Sequence, residues 1–160
     1  MGFKYFLTTA LLLVTICTFG ENDNPKRTYR QILKNKPNID KKYATKLAKL
    51  IDRHSIKHKI PAHIYTAILM QESGYKLGAK RCIKKCTDFG ISQINHRTAK
   101  SYNLDRSKLL KDLDYSIWAG AMVLADFKRY KKTEKRWWSR YNASSKHKRL
   151  EYEKLVKRYF

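Results

Sequence analysis

Glu72 stands four residues after Ile68 and eight after Ile64. In a continuous helix its carboxylate therefore leaves from the same stripe that faces the core. Burial disfavours the charged form of a carboxyl group and raises its pKa. A proton kept in this way near neutral pH can be donated to a leaving oxygen. The spacing also suits a helix-end glutamate that bends to solvent or pairs with a lysine. Downstream, Thr87 to Asn95 sets Asp88, Gly90, Gln93 and Asn95 in an apolar frame of Phe89, Ile91 and Ile94. Asp88 could bring negative charge across a sugar ring from Glu72, and Gln93 and Asn95 offer donors and acceptors to hydroxyl or acetamido groups. The same residues also make an ordinary turn, with Asp88 capping and Gly90 easing the backbone. Periodicity does not choose between the two.

The elements that must position these groups are mainly helical. Asp40 can cap a helix in which Tyr43, Ala44, Leu47, Ala48, Leu50 and Ile51 recur at three- and four-residue spacing, running to about His54. Pro61 suits the first position of a second helix, which carries Ile64, Ala67, Ile68 and Leu69 to a stop at Gly74. Glu72 is near its end. From Leu77 to Ile94 no helical period persists, so a loop or short strands are expected there. Asp112 or Asp114 then starts a helix that is apolar on most sides, through Ile117, Trp118, Ala121, Met122, Leu124, Ala125 and Phe127. It belongs at the centre of the core, and Ala119, Gly120 and Ala121 let a neighbour approach closely. Lys128 to Phe160 mixes thirteen Lys and Arg with Trp137, Trp138, Tyr141, Leu150, Leu155, Val156 and Tyr159, a pattern of one or two amphipathic helices. Residues 21–39, polar and basic with Pro25 and Pro37, read as a basic N-terminal arm ahead of a single domain over 40–160.

Residues 1–20 follow a different logic. Lys4 precedes an apolar run from Tyr5 to Cys17, and Thr18 and Gly20 before Glu21 make a cleavage site for an export signal. Cys17 as a lipoprotein cysteine fits poorly, because Ile16 is bulky. Without the signal, Cys82 and Cys86 remain as an even pair in an oxidising compartment, and a local disulfide is the simplest reading. Zinc would need two more ligands, and two free thiols are the plain alternative. His54, His58, His63, His96 and His147 show no metal or triad spacing, so neither metal nor cofactor is expected.

At 160 residues the chain suits one domain. Eleven Tyr, six Phe and three Trp supply a core, and only six Gly and three Pro argue against collagen-like or turn-dense all-β chains. The net charge of +23 favours polyanionic partners, and of the positive charges only Lys4 lies in the first twenty residues. Nucleic acid is one such partner, since cations and aromatics interleave after Lys128, but the export signal counts against it. A membrane-disrupting role for those helices is weaker than solvated faces over buried aromatics.

Four blocks carry a family resemblance: Ala67-Ile68-Leu69-Met70-Gln71-Glu72-Ser73-Gly74, Gly90-Ile91-Ser92-Gln93-Ile94-Asn95, Ala119-Gly120-Ala121-Met122-Val123-Leu124 and Arg140-Tyr141-Asn142-Ala143. In this order, over roughly residues 45–145, the chain resembles the soluble lytic transglycosylase domain. The resemblance implies a lysozyme-like, mainly α fold that cuts peptidoglycan glycan strands; a monomer is expected, and the positive charge suits anionic wall polymers as further partners. It implies that Glu72 protonates the bond oxygen after N-acetylmuramic acid and then serves as base while that sugar's 6-hydroxyl closes a 1,6-anhydro ring. Gln93, Asn95, Tyr141 and Asn142 would line the cleft, and Ser73 would support the glutamate or the glycan. Lys76-Leu77, Ser92 and Ser144 depart from the family's usual Asn-Pro, Met and Gly. Residues 87–95 also resemble animal-type lysozymes, in which the aspartate matching Asp88 is a second catalytic carboxylate, so hydrolysis stays open.

Overall fold

A computed structural model describes residues 25–82, 86–130, 135–142 and 145–160. The signal expected over residues 1–20 lies outside them, as do Ala143 of the last block and Ser144 after it. Among the described residues the order is α1 (Pro25–Asn35), α2 (Lys41–His58), α3 (Ala62–Ser73), β1 (Lys80–Cys82), β2 (Cys86–Phe89), β3 (Ile94–Asn95), α4 (His96–Ser101), α5 (Arg106–Lys111), α6 (Leu113–Tyr130), a 3₁₀ turn (Trp137–Tyr141) and α7 (Lys146–Lys157). The mainly α fold with a short β segment, expected from the periodicities, is what forms.

The reading of residues 21–39 as an arm is corrected. Pro25 opens a helix whose Thr28 and Ile32 are buried, while Tyr29 and Leu33 pack against the main core. So few apolar positions in so short and basic a segment conceal the period, and burial against α2 supplies the stability that propensity alone would not. The docking has a polar pin, because Thr28 Oγ1 donates to Asp52 Oδ1 of α2 at 2.6 Å with both residues 2% exposed. Thr28→Val keeps the shape and removes one donor from a buried carboxylate, so it is expected to cost about 2 kcal/mol. A urea melt reads this as a lower midpoint, and an unchanged midpoint would show that the contact does not hold α1.

Asp40 does cap α2, its side chain accepting from the Tyr43 N–H. The helix outlasts the expected end at His54 and stops at Lys59, which takes a left-handed conformation. Pro61 is the N-cap of α3, not its first helical residue, and Gly74 ends that helix with φ +58°. At the centre, α6 buries Ile117, Ala119, Gly120, Ala121 and Leu124. A β-carbon on Gly120 would sit 2.4 Å from the Tyr65 hydroxyl and 2.3 Å from Ser92 Oγ, so the expected close approach is made by α3 and the 90–93 loop. Tyr65 donates to the Ile117 carbonyl at 2.6 Å and Ser92 to that of Ser116 at 3.0 Å. Two polar side chains are thereby satisfied inside the core.

The segment read as loop or short strands is an antiparallel sheet in the order β1-β2-β3. Its register sets Arg81 opposite Asp88 and Asp88 opposite Asn95, so these three residues lie abreast on one cross-strand row. The neighbouring pair, Phe89 and Ile94, is buried in a second, smaller core with Leu109 and Val123. Two short helices, α4 and α5, were not legible in the sequence. Each is capped locally, by Asn95 and by Asp105, and neither is long enough to show a period.

Candidate active site

A cleft of about 330 Å³ lies between the end of α3, the sheet, α6 and the 3₁₀ turn, lined by Glu72, Arg81, Asp88, Gln93, Asn95 and Tyr141 among others. Glu72 reaches it from the last turn of α3. That helix end is held from three sides. Lys36 Nζ donates to the Gly74 carbonyl at 2.6 Å, Tyr43 donates to the Tyr75 carbonyl at 2.9 Å, and Ser73 Oγ donates to the Ile91 carbonyl at 2.7 Å. Ser73 thus ties α3 to the 90–93 loop beside the cleft.

The Glu72 carboxyl is half-buried and accepts two side-chain donors. Tyr152 of α7 donates its hydroxyl to Oε1 at 2.6 Å, and Asn142 Nδ2 lies 3.2 Å from Oε1 and 3.4 Å from Oε2. Burial pushes its pKa above the ordinary carboxylate value. The hydrogen bonds from Tyr152 and Asn142 pull it back, Asp88 adds a further upward push, and Arg81 a small downward one. The upward direction is the one a general acid needs. It arises mainly from desolvation, so it depends on the cleft wall and not on any one partner.

The other residues singled out in the sequence are brought to the same place with differing freedom. Asp88 lines the cleft, and its Oδ1 accepts from Asn95 Nδ2 at 2.8 Å. Asn95 is doubly engaged, because its Oδ1 also accepts from the Arg97 N–H as the cap of α4. It lines the cleft as a residue that fixes Asp88. Gln93 has φ +46°, and its amide donates to the Ala79 and Gly90 carbonyls at 3.1 and 2.8 Å. Its amide oxygen is the part left for a ligand. Tyr141 donates to the Ser92 carbonyl at 2.7 Å, and burial raises its pKa. Its ring is therefore a fixed wall.

Sequence reasoning missed Tyr152 and Arg81. Tyr152 lies four residues before Val156, so helical spacing already put it on the buried face of α7. That its hydroxyl meets Glu72, eighty positions away, had no local signal. Arg81 reaches the cleft through its pairing with Asp88, which depends on strand register. Cys82 is disulfide-bonded; the side chain of Cys86 lies outside the described residues. No three His, Cys, Asp or Glu side chains among the described residues are grouped to hold a metal ion.

Compared with known families, residues 49–154, well over half of the chain, match the model described as the transglycosylase SLT domain. No curated protein and no solved structure gives a significant match.

Proposed function

Since the chain belongs to the transglycosylase SLT domain family, we propose that it is an exported enzyme that cleaves the β-1,4 bond after N-acetylmuramic acid in peptidoglycan and leaves a 1,6-anhydro end. The family supports the coarser statement, a lytic transglycosylase domain acting on peptidoglycan. One observation supports Glu72 as the acid of this reaction: its carboxyl, pushed up in pKa by burial, opens on a cleft walled by polar side chains.

In this mechanism Glu72 gives its proton to the glycosidic oxygen as the bond to C1 breaks, and the departing N-acetylglucosamine keeps that proton as its 4-hydroxyl. The Glu72 carboxylate then takes the proton of the muramic 6-hydroxyl as that oxygen bonds to C1. Glu72 ends protonated, and no water is consumed. The donors on Glu72 suit both halves, because a hydroxyl and an amide stabilise the carboxylate between the two transfers. In this reading Gln93 and the Tyr141 ring, both lining the cleft, bind and orient the sugars. We assign Cys86 as the disulfide partner of Cys82, since the two stand opposite each other across β1 and β2. Facing residues of an antiparallel pair are about 4.5–5.5 Å apart at Cα, a span a disulfide accepts. The net charge of +23 would concentrate the enzyme on anionic wall polymers, an effect that salt weakens.

A second reading is favoured by Asp88, which lines the same cleft and acts electrostatically on Glu72. A hydrolytic muramidase would use it as the second carboxylate. Mass spectra of muropeptides from purified sacculi separate the two chemistries, because anhydro and reducing ends differ by one water. Anhydro ends from the wild type and from Asp88→Asn are the expected result. Reducing ends alone, lost in Asp88→Asn, would replace the transglycosylase reading with the hydrolase.

A further inference from the structure

Glu153 is a carboxylate only 5% exposed in a strongly basic chain, and it stands next to Tyr152, the donor to Glu72. Both of its oxygens are engaged: Oε2 with Arg136 at 3.0 Å and Oε1 with Lys157 at 2.5 Å. Lys157 is one turn further along the same helix, so that pair neutralises charge without joining two elements. Arg136 is different. It immediately precedes the 3₁₀ turn Trp137–Tyr141, after which comes Asn142. The two donors on Glu72 thus arrive on separate elements, Tyr152 on α7 and Asn142 behind the 3₁₀ turn, and the Arg136–Glu153 bridge joins those elements.

We propose that Glu153 is a positioning residue for the reaction, holding α7 against the 3₁₀ turn so that the Tyr152 hydroxyl and the Asn142 amide converge on Glu72. The proposal rests on Glu72 being the acid of the preceding reading. Glu153→Gln leaves no buried charge behind, because Arg136 and Lys157 are half-exposed and stay solvated. What it removes is the charged tie between α7 and the 3₁₀ turn, so α7 is expected to shift, and a few tenths of an ångström are felt in a hydrogen bond of 2.6 Å.

The direction of the effect separates positioning from charge. Among the described residues, the charged or titratable groups facing Glu72 include Arg81 of β1, Asp88 of β2, Tyr141 of the 3₁₀ turn and Tyr152 of α7, and those facing Glu153 include Arg136 and Lys157. Glu153→Gln removes one negative charge, and by the loss of Coulomb repulsion alone that lowers the pKa of any neighbouring carboxyl. Loosening the Tyr152 bond, which stabilises the carboxylate, raises it. We expect a rise of about half a pH unit and a several-fold loss of kcat with KM little changed.

The Glu72 carboxyl is titrated by ¹³C NMR in the full chain, assigned by its loss in Glu72→Gln, for the wild type, Glu153→Gln, Tyr152→Phe and the double variant. The expected result is a rise in both single variants and a smaller further rise when Glu153→Gln is added to Tyr152→Phe, because only the Asn142 contact is then left to loosen. A fall, no change, or a Glu153→Gln effect of full size in the Tyr152→Phe background would overturn the proposal. If Glu153→Gln does not fold, Arg136→Gln at a half-exposed side chain replaces it. Its charge effect would persist in full without Tyr152, whereas a positioning effect would shrink to the part that Asn142 carries, and Arg136→Lys should restore the wild-type value. The titration needs no turnover. A wild type inactive on peptidoglycan would remove the proposed function while leaving these pKa values to decide whether the bridge sets the Tyr152–Glu72 contact.

Discussion

Glu72→Gln is expected to lower the rate of glycan cleavage by about 10³-fold while the protein stays folded. The amide keeps the shape of the side chain and an oxygen that can accept from Tyr152, so the contacts at the end of α3 survive. What disappears is the proton for the leaving oxygen and the base for the 6-hydroxyl, which one group supplies in turn. The loss should therefore fall on kcat, with binding to sacculi retained. A stability measurement gives an independent check with a definite sign. A carboxyl whose folded-state pKa is raised favours the native state when protonated, and that advantage is lost as pH rises through the folded value. Glutamine carries no such charge, so above that pH the variant should melt at or above the wild-type temperature. Clearance of purified sacculi at the wild-type rate would show that Glu72 is not the acid.

Gly90→Ala should give the largest loss of stability among single-methyl changes near the site. Gly90 has φ +77°, and a β-carbon there would lie 2.1 Å from the Leu109 carbonyl oxygen and 2.5 Å from Ser116 Oγ. The left-handed conformation costs an alanine about 1–2 kcal/mol, and the clash is with backbone, which cannot rotate away. Overpacking adds about 1–3 kcal/mol, for a total of about 3 kcal/mol. At this chain length that corresponds to a fall in Tm of roughly 10 °C. Gly74 is the control: its φ is +58° but a β-carbon meets nothing within 4 Å, so Gly74→Ala should show only the conformational cost. Equal losses in the two variants would mean that the Leu109 contact yields. Activity should also fall in Gly90→Ala, because the Gly90 carbonyl accepts from the Gln93 amide and Ser73 is bound to the neighbouring Ile91.

Much of the frame was readable in one dimension because its signals are local. Asp40, Pro61 and Gly74 mark helix ends through their own backbone and side-chain chemistry. The apolar period through Ile64 and Ile68 set Glu72 on the inward face of α3, and four ordered blocks pointed to the family. The first helix escaped notice because eleven mostly basic and polar residues acquire their reason to be helical from Asp52 and the core of α2. The short helices after Asn95 and Asp105 escaped because six residues are too few to display a period.

Residue types and spacing thus determined which carboxyl leaves the inward face of α3, which segment faces it, and that the chain is mainly α. Long-range packing decided how that carboxyl is held. Tyr152, Asn142 and Arg81 come from elements far apart in the chain, and desolvation of the Glu72 carboxyl is a property of the assembled cleft wall. A hydrogen bond across eighty residues, or the exclusion of water by several elements at once, leaves no periodic trace, because both depend on distances that exist only after the chain has closed.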